Sequence, residues 1–172
     1  MSVEIVIKHK ITRELVNEAR EFSRVVHLRK KDVKDKFITG NEESADFTGF
    51  LFEFACCDFF SLPKPVLFEG TKVDEFDILL NDLKIDVKES KKCLINKLQF
   101  EKKKGKVDAF LFGTNFLGDW SAGVLFVEFF GWISYDDVVS CSELIKFDNG
   151  SEAYKVSKRK LKSIEKLKES FL

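Results

Sequence analysis

The stretch of sequence that decides the fold comprises residues 76–88, which read FDILLNDLKIDVK. Apolar and polar residues alternate along its second half, and such alternation is typical of a β-strand with one buried face. Two strand-like halves flank the central Asn81-Asp82 pair, and Asn and Asp tolerate the left-handed backbone of a tight turn. A two-residue turn at this point predicts a β-hairpin in which Leu80 pairs with Leu83.

Three charged side chains occupy related positions in this hairpin. Counting outward from the turn places Asp77 directly opposite Asp86, and Lys88 emerges on the face of Asp86 because side chains alternate along a strand. At ~5 Å and an effective dielectric constant of ~20, the two carboxylates repel each other by roughly 3 kcal/mol. A divalent cation with oxygen ligands would offset this repulsion. An ordinary exposed hairpin with alternating charges stays open as the alternative. The other face is apolar and carries Ile78, Leu80, Leu83, Ile85 and Val87.

A single carboxylate stands in an apolar helical segment upstream. Residues 50–57 read FLFEFACC, and Glu53 is their only charge. Burying a carboxylate there is costly unless it is paired or bound to a metal. A third metal-site ligand, direct or through water, would account for Glu53; a side chain that reaches solvent or a basic partner at the helix edge is the alternative.

A helix carrying Glu, then an Asp, then Asp-x-Lys nine residues later on the next strand resembles the PD-(D/E)xK nuclease superfamily, which includes restriction endonucleases and archaeal Holliday-junction resolvases. The chain is also similar to small nuclease-like proteins of phages and archaeal mobile elements. This narrower resemblance covers roughly residues 44–140. It rests on the segments Gly49 to Ala55, Val73 to Lys88, Val107 to Phe110 and Gly131 to Ser134. Phe76 stands where the name-giving motif has Pro.

The resemblance implies a restriction-endonuclease-like α/β (α+β) fold, a mixed β-sheet core flanked by helices. It also implies Mg²⁺-dependent hydrolysis of DNA phosphodiester bonds, with Mn²⁺ as a substitute. Carried over by position, the catalytic residues are Glu53, Asp77, Asp86 and Lys88. The metal ligands are Asp77, Asp86, Glu53 (directly or through water) and the backbone carbonyl of Val87.

Basic residues follow the proposed site directly. The nucleic-acid-binding residues that we expect are Lys91, Lys92, Lys97, Gln99, Lys102, Lys103 and Lys104. Contacts of lysines with a phosphate backbone supply salt-sensitive affinity without sequence information. Cleavage of duplex or branched DNA that is structure-selective or weakly sequence-specific is therefore expected. A non-catalytic nucleic-acid-binding or assembly protein that keeps the nuclease fold is the rival interpretation.

Length and composition set the frame for these expectations. The 172 residues favour one domain, with a catalytic core at about 44–133 and additions in the form of an N-terminal helix and a basic C-terminal helix. With 29 basic and 29 acidic residues the formal net charge is zero, so the chain as a whole does not attract nucleic acid. Binding must therefore depend on local clusters of basic residues. No apolar run of membrane-spanning length and no secretory signal is present, which predicts a cytoplasmic protein without a membrane partner. A homodimer stays open, and the four cysteines are expected to be reduced core residues.

The sequence pattern also predicts the order of elements. Helices are expected near 11–26, 44–60, 135–140 and 158–170, with an exposed connection over 28–42. Strands are expected near 66–69, 75–80, 83–88, 107–113, 122–133 and 153–156.

Overall fold

A computed structural model describes residues 6–33, 40–65, 76–116 and 125–169. In these ranges the chain is a mixed α+β protein, which confirms the predicted fold class. The predicted strand at 66–69 lies outside the described residues. The helices are α1 Arg13–Val33, α2 Gly40–Phe60, α3 Lys97–Lys102 and α4 Ile164–Glu169. The strands are β1 Ile7–Ile11, β2 Ile78–Leu80, β3 Leu83–Glu89, β4 Leu94–Asn96, β5 Ala109–Phe116, β6 Leu125–Ser134, β7 Ser142–Lys146 and β8 Glu152–Val156.

The hairpin of β2 and β3 has the predicted register. Leu80 pairs with Leu83, and the antiparallel ladder continues to Ile78 opposite Ile85. Asn81 and Asp82 have φ values of 41° and 67°. Positive φ at both central residues is the backbone that two-residue hairpin turns favour, since its twist matches that of the strands.

Strands from distant parts of the chain form a five-stranded sheet in the order β1-β6-β5-β3-β2. β3 and β5 are parallel, with Asp86 opposite Phe110 and Lys88 opposite Phe112. Parallel neighbours need a crossover connection, and here the crossover includes β4 and α3. The sheet is therefore mixed, with an antiparallel hairpin on one side of β3 and a parallel neighbour on the other.

A second sheet contains β4, β8 and β7 in that order, with antiparallel pairing throughout. The sequence predicted only β8 of these three. β4 is three residues long inside a basic segment, and β7 has exposed or half-buried side chains only. Neither strand carries the apolar alternation that sequence analysis depends on.

The predictions for two segments are wrong, the connection over 28–42 and the C-terminal helix over 158–170. α1 runs to Val33 and α2 begins at Gly40, so helix occupies most of the expected connection over 28–42. The expected C-terminal helix over 158–170 is instead a 3₁₀ turn at Lys158–Lys160, followed by α4 from Ile164. The helix is interrupted because Lys162 exchanges two backbone hydrogen bonds with Trp132 on β6, at 2.8 and 3.0 Å.

The chain divides into two compact units, each built from discontinuous segments. One unit comprises residues 9–72 and 115–127, and in it α1 packs against α2. The other comprises residues 1–8, 73–114 and 128–172. Its hydrophobic core includes Phe100, Phe110, Phe112, Ile133 and Val156. Cys56, Cys57 and Cys93 are buried and Cys141 is half-buried. None of the helices in the described ranges is long and apolar enough to cross a membrane.

Candidate active site

Asp86 is a buried carboxylate in the middle of β3. Its side chain is 2% exposed, and it lies opposite Phe110, a residue of the hydrophobic core. Burial of a carboxylate costs free energy unless opposite charge accompanies it. Two ammonium groups supply this opposite charge: Nζ of Lys88 lies 2.6 Å from Oδ2, and Nζ of Lys103 lies 3.0 Å from Oδ1.

The ion pair between Lys88 and Asp86 confirms that these two side chains emerge on one face. The two contacts of Asp86 nevertheless differ in kind. Lys103 donates a hydrogen bond to Oδ1. The Lys88 ammonium is close to Oδ2, but Oδ2 receives no well-directed hydrogen bond from any described residue. The contact with Lys88 is therefore mainly electrostatic, and Oδ2 keeps capacity for a further ligand.

Asp77 lies immediately before β2, beyond the last pair of the ladder. Its backbone N–H donates to the carbonyl of Ile85 at 3.0 Å, and its Oδ2 accepts from the N–H of Val87 at 2.6 Å. The predicted direct pairing with Asp86 is not part of the ladder, which ends at Ile78. The Asp77 carboxylate is instead drawn to the backbone of β3, one residue along from Asp86.

The two carboxylates influence each other electrostatically. Burial and, to a smaller extent, the negative charge of Asp86 raise the pKa of Asp77, which is about 6 in total. The Val87 N–H and the ammonium groups of Lys88 and Lys103 act in the opposite direction without cancelling these effects. The ionised form of Asp77 is therefore disfavoured, and an additional positive charge beside it would be stabilising.

These residues fit a divalent cation in two respects. The ionised form of Asp77 is only partly compensated, and Oδ2 of Asp86 is buried without a directed donor. Mg²⁺ is commonly held by one or two carboxylates together with water and substrate phosphate. Two carboxylates are what this site offers, and the described residues contain no group of three or more His, Cys, Asp or Glu side chains arranged to hold a metal.

The remaining predicted ligands stay predictions. Glu53 is half-buried on α2, in the unit of residues 9–72 and 115–127, whereas Asp77 and Asp86 belong to the other unit. Val87 is buried, and its N–H is occupied by Asp77, while its carbonyl is the group that the resemblance proposes as a ligand.

The basic segment after the site separates into three groups. The exposed side chains are Lys91, Lys92, Gln99, Lys102 and Lys104. Lys97 forms ion pairs with Glu152 at 3.1 Å and Glu101 at 3.9 Å, which raise the pKa of Lys97. The sequence predicts a nucleic-acid contact for Lys103, but its Nζ donates a hydrogen bond to Oδ1 of Asp86.

Lys103 reaches Asp86 because α3 is firmly anchored. The side chain of Asn96 caps the helix by accepting from the Gln99 N–H at 3.2 Å. Phe100 stacks on Tyr135 with ring centroids 4.3 Å apart, and the Tyr135 hydroxyl donates to the Phe100 carbonyl at 2.8 Å. Sequence spacing carried a signal for this position. Residues three apart share a helix face, so Lys103 lies on the side of the buried Phe100.

Neither a protein-family model, nor a curated protein, nor a solved structure matches this chain.

Proposed function

We propose that this protein is a Mg²⁺-dependent endonuclease of the PD-(D/E)xK type that hydrolyses phosphodiester bonds of DNA. The observation that carries the proposal is the grouping of Asp77, Asp86 and Lys88. A buried Asp86 lies 2.6 Å from the Lys88 ammonium and close enough to Asp77 to raise its pKa. A carboxylate with a raised pKa, next to a second carboxylate and a lysine, is the kind of group that metal-assisted phosphoryl chemistry uses.

Each residue has a defined task in this proposal. Asp77 and Asp86 would hold the cation, with the Val87 carbonyl as a further ligand. A bound Mg²⁺ supplies charge stabilisation at phosphoryl oxygens and lowers the pKa of a coordinated water. Lys88, fixed by Asp86, orients the attacking water through its ammonium group and stabilises negative charge that develops on the phosphate.

The exposed lysines beside the site support DNA as the substrate. Lys91 and Lys92 come shortly after β3. Lys102 is the last residue of α3, and Lys104 comes two residues later. They would contact backbone phosphates, which all sequences share. Structure-selective or weakly sequence-specific cleavage follows from this kind of contact.

Nicking of supercoiled plasmid in the presence of Mg²⁺ or Mn²⁺ tests the proposal. Asp86→Asn keeps the size of the side chain and removes a metal ligand, so it should lower the nicking rate by roughly 100-fold or more. Lys146→Met, at an exposed lysine on β7, is the matched control and should cut at the wild-type rate. Equal rates for wild type and Asp86→Asn would refute the proposal.

One observation favours a second candidate, a non-catalytic nucleic-acid-binding or assembly protein. Two ammonium groups already neutralise Asp86, which is also how a purely structural ion-pair network would be built. This candidate predicts DNA binding that responds neither to divalent cations nor to Asp86→Asn. Fluorescence anisotropy with labelled DNA, in EDTA and in Ca²⁺, separates the two candidates.

A further inference from the structure

The hydrogen bond between Lys103 and Asp86 joins the crossover helix to the proposed metal site. Nζ of Lys103 donates to Oδ1 at 3.0 Å, and the two residues are 17 positions apart in sequence. Lys103 is 24% exposed while Asp86 is 2% exposed. Part of the Lys103 side chain therefore reaches solvent, while the carboxylate that it contacts is buried.

The position of Lys103 is set by backbone contacts as well as by its charge. It is the C-cap residue directly after α3, and its N–H donates to the carbonyls of Gln99 and Phe100, both at 3.1 Å. Helix α3 also contacts β4 and β8. Because the lysine leaves a fixed backbone, its ammonium is a preorganised partner of Asp86 that comes from outside the hairpin.

We propose that Lys103 is the resident counter-ion of Asp86, and that its charge on Oδ1 opposes the binding of a divalent cation at the neighbouring Oδ2. Lys103 is then a positioning residue that sets the cation concentration at which the site fills. An ammonium group on Oδ1 and a divalent cation on Oδ2 of one buried carboxylate repel each other, and this repulsion weakens binding of the cation. The inference rests on the proposed function, since it presupposes a cation at Asp77 and Asp86.

Calorimetric titration of the full chain with Mn²⁺ alone, at pH 8 and without DNA, tests this inference. At pH 8, above the pKa of about 6, competition from protons at Asp77 is small. Lys103→Gln keeps a donor for Oδ1 and removes the charge, so it should bind Mn²⁺ about tenfold more tightly than wild type. Lys103→Arg keeps the charge and should bind as wild type does.

The matched control is Lys106→Gln, which removes the charge of an exposed lysine three residues later. It should leave Mn²⁺ affinity unchanged to within about twofold, because screened surface charges interact weakly with the site. Lys103→Met, which keeps most of the aliphatic stem, is a second neutral variant in case Lys103→Gln does not fold. Tighter binding by a neutral variant cannot arise from structural damage, which would loosen the ligands and weaken binding.

The outcomes separate the inference from the proposed function. If wild type binds Mn²⁺, Asp86→Asn abolishes binding, and the neutral Lys103 variants bind no more tightly, the inference is overturned and the metal site stands. If neither wild type nor any Lys103 variant binds Mn²⁺ at millimolar concentration, the proposed metal-dependent function is itself overturned.

Discussion

The carboxylate of Asp77 accepts a 2.6 Å hydrogen bond from the backbone N–H of Val87, the residue between Asp86 and Lys88. This bond ties an acid from outside the β2 ladder to the central strand. It also orients Asp77 by backbone contact, so its position does not depend on the rotamers of neighbouring side chains. The ionised form gains this hydrogen bond but loses more through burial, which is why the pKa is raised to about 6.

The raised pKa of Asp77 predicts how the stability of the metal-free protein depends on pH. The folded pKa of about 6 lies above the ordinary 3.8, so the stabilising contribution is fully present below pH 3.8 and is lost as pH rises through 6. At 1.36 kcal/mol per pH unit, the loss is on the order of 2–3 kcal/mol. In Asp77→Asn this titration is absent, so between pH 4.5 and 7.5 the variant should gain about 2 kcal/mol of stability over wild type, because part of the loss has already occurred at pH 4.5.

Urea denaturation at the two pH values in EDTA measures this difference. Asp82→Asn, the same substitution at an exposed turn residue, is the control and should show no comparable gain. A stability difference between Asp77→Asn and wild type that stays constant with pH would contradict the assignment of the raised pKa to Asp77.

The two partners of the central ion pair should differ in their effect on stability. Lys88→Met leaves the 2% exposed Asp86 with one cation, so the cost should be about 2–4 kcal/mol. Asp86→Asn leaves lysines that are each 24% exposed and can turn toward water, so its cost should be smaller. Thermal denaturation by circular dichroism at pH 7.5 gives the ranking, with Lys102→Met as an exposed control. If Asp86→Asn lost as much stability as Lys88→Met or more, the burial of Asp86 with only one cation would not be the main cost.

Gly131 on β6 is required by a close approach of the C-terminal segment. Its φ is +138°, and a Cβ there would lie 2.6 Å from the Lys162 carbonyl oxygen and 2.8 Å from Cβ of Leu161. Gly131→Ala should therefore destabilise the protein by about 3 kcal/mol or more, through strain and through loss of the hydrogen bonds between Trp132 and Lys162.

Gly150→Ala separates the steric effect from the backbone effect. Gly150 also has a positive φ, +83°, but a Cβ there would meet nothing within 4 Å. That variant should lose only about 1 kcal/mol. Chemical denaturation of both variants checks the contrast, and similar losses would show that the contact with residues 161 and 162 is unimportant.

The hairpin could be predicted from sequence because its information is local. The turn residues, the alternation after them and the short loop together fix which residues face each other, and the register of Leu80 with Leu83 followed. The same local rule placed Lys88 beside Asp86. It missed the shift of Asp77 out of the ladder, because a side-chain hydrogen bond to the Val87 N–H replaces the continuation of the strand pairing.

The rest of the site depends on contacts between distant residues. β4 is three residues long and is defined by its pairing with β8, for example Ile95 with Tyr154. Lys103 stands in a run of lysines that look alike in sequence. Its spacing of three residues from Phe100 places Lys103 on the side of Phe100, but the packing of Phe100 against Tyr135 is what buries that side, while Lys102 and Lys104 are exposed. Composition and periodicity do not reveal that β4 pairs with β8 or that Phe100 packs against Tyr135.

The pairing of β4 with β8 has a consequence for the order in which the site is completed during synthesis. When translation has reached the end of β6, both aspartates and Lys88 have been made, but the strand that holds the start of the crossover has no partner until residues 152–156 emerge. The helix that delivers Lys103 is six residues long, too short to persist alone in water. Until β8 joins, α3 is held by the Asn96 cap and by the contact of Phe100 with Tyr135 but not by β8, so the second cation of Asp86 is fully fixed only after the last strand has paired.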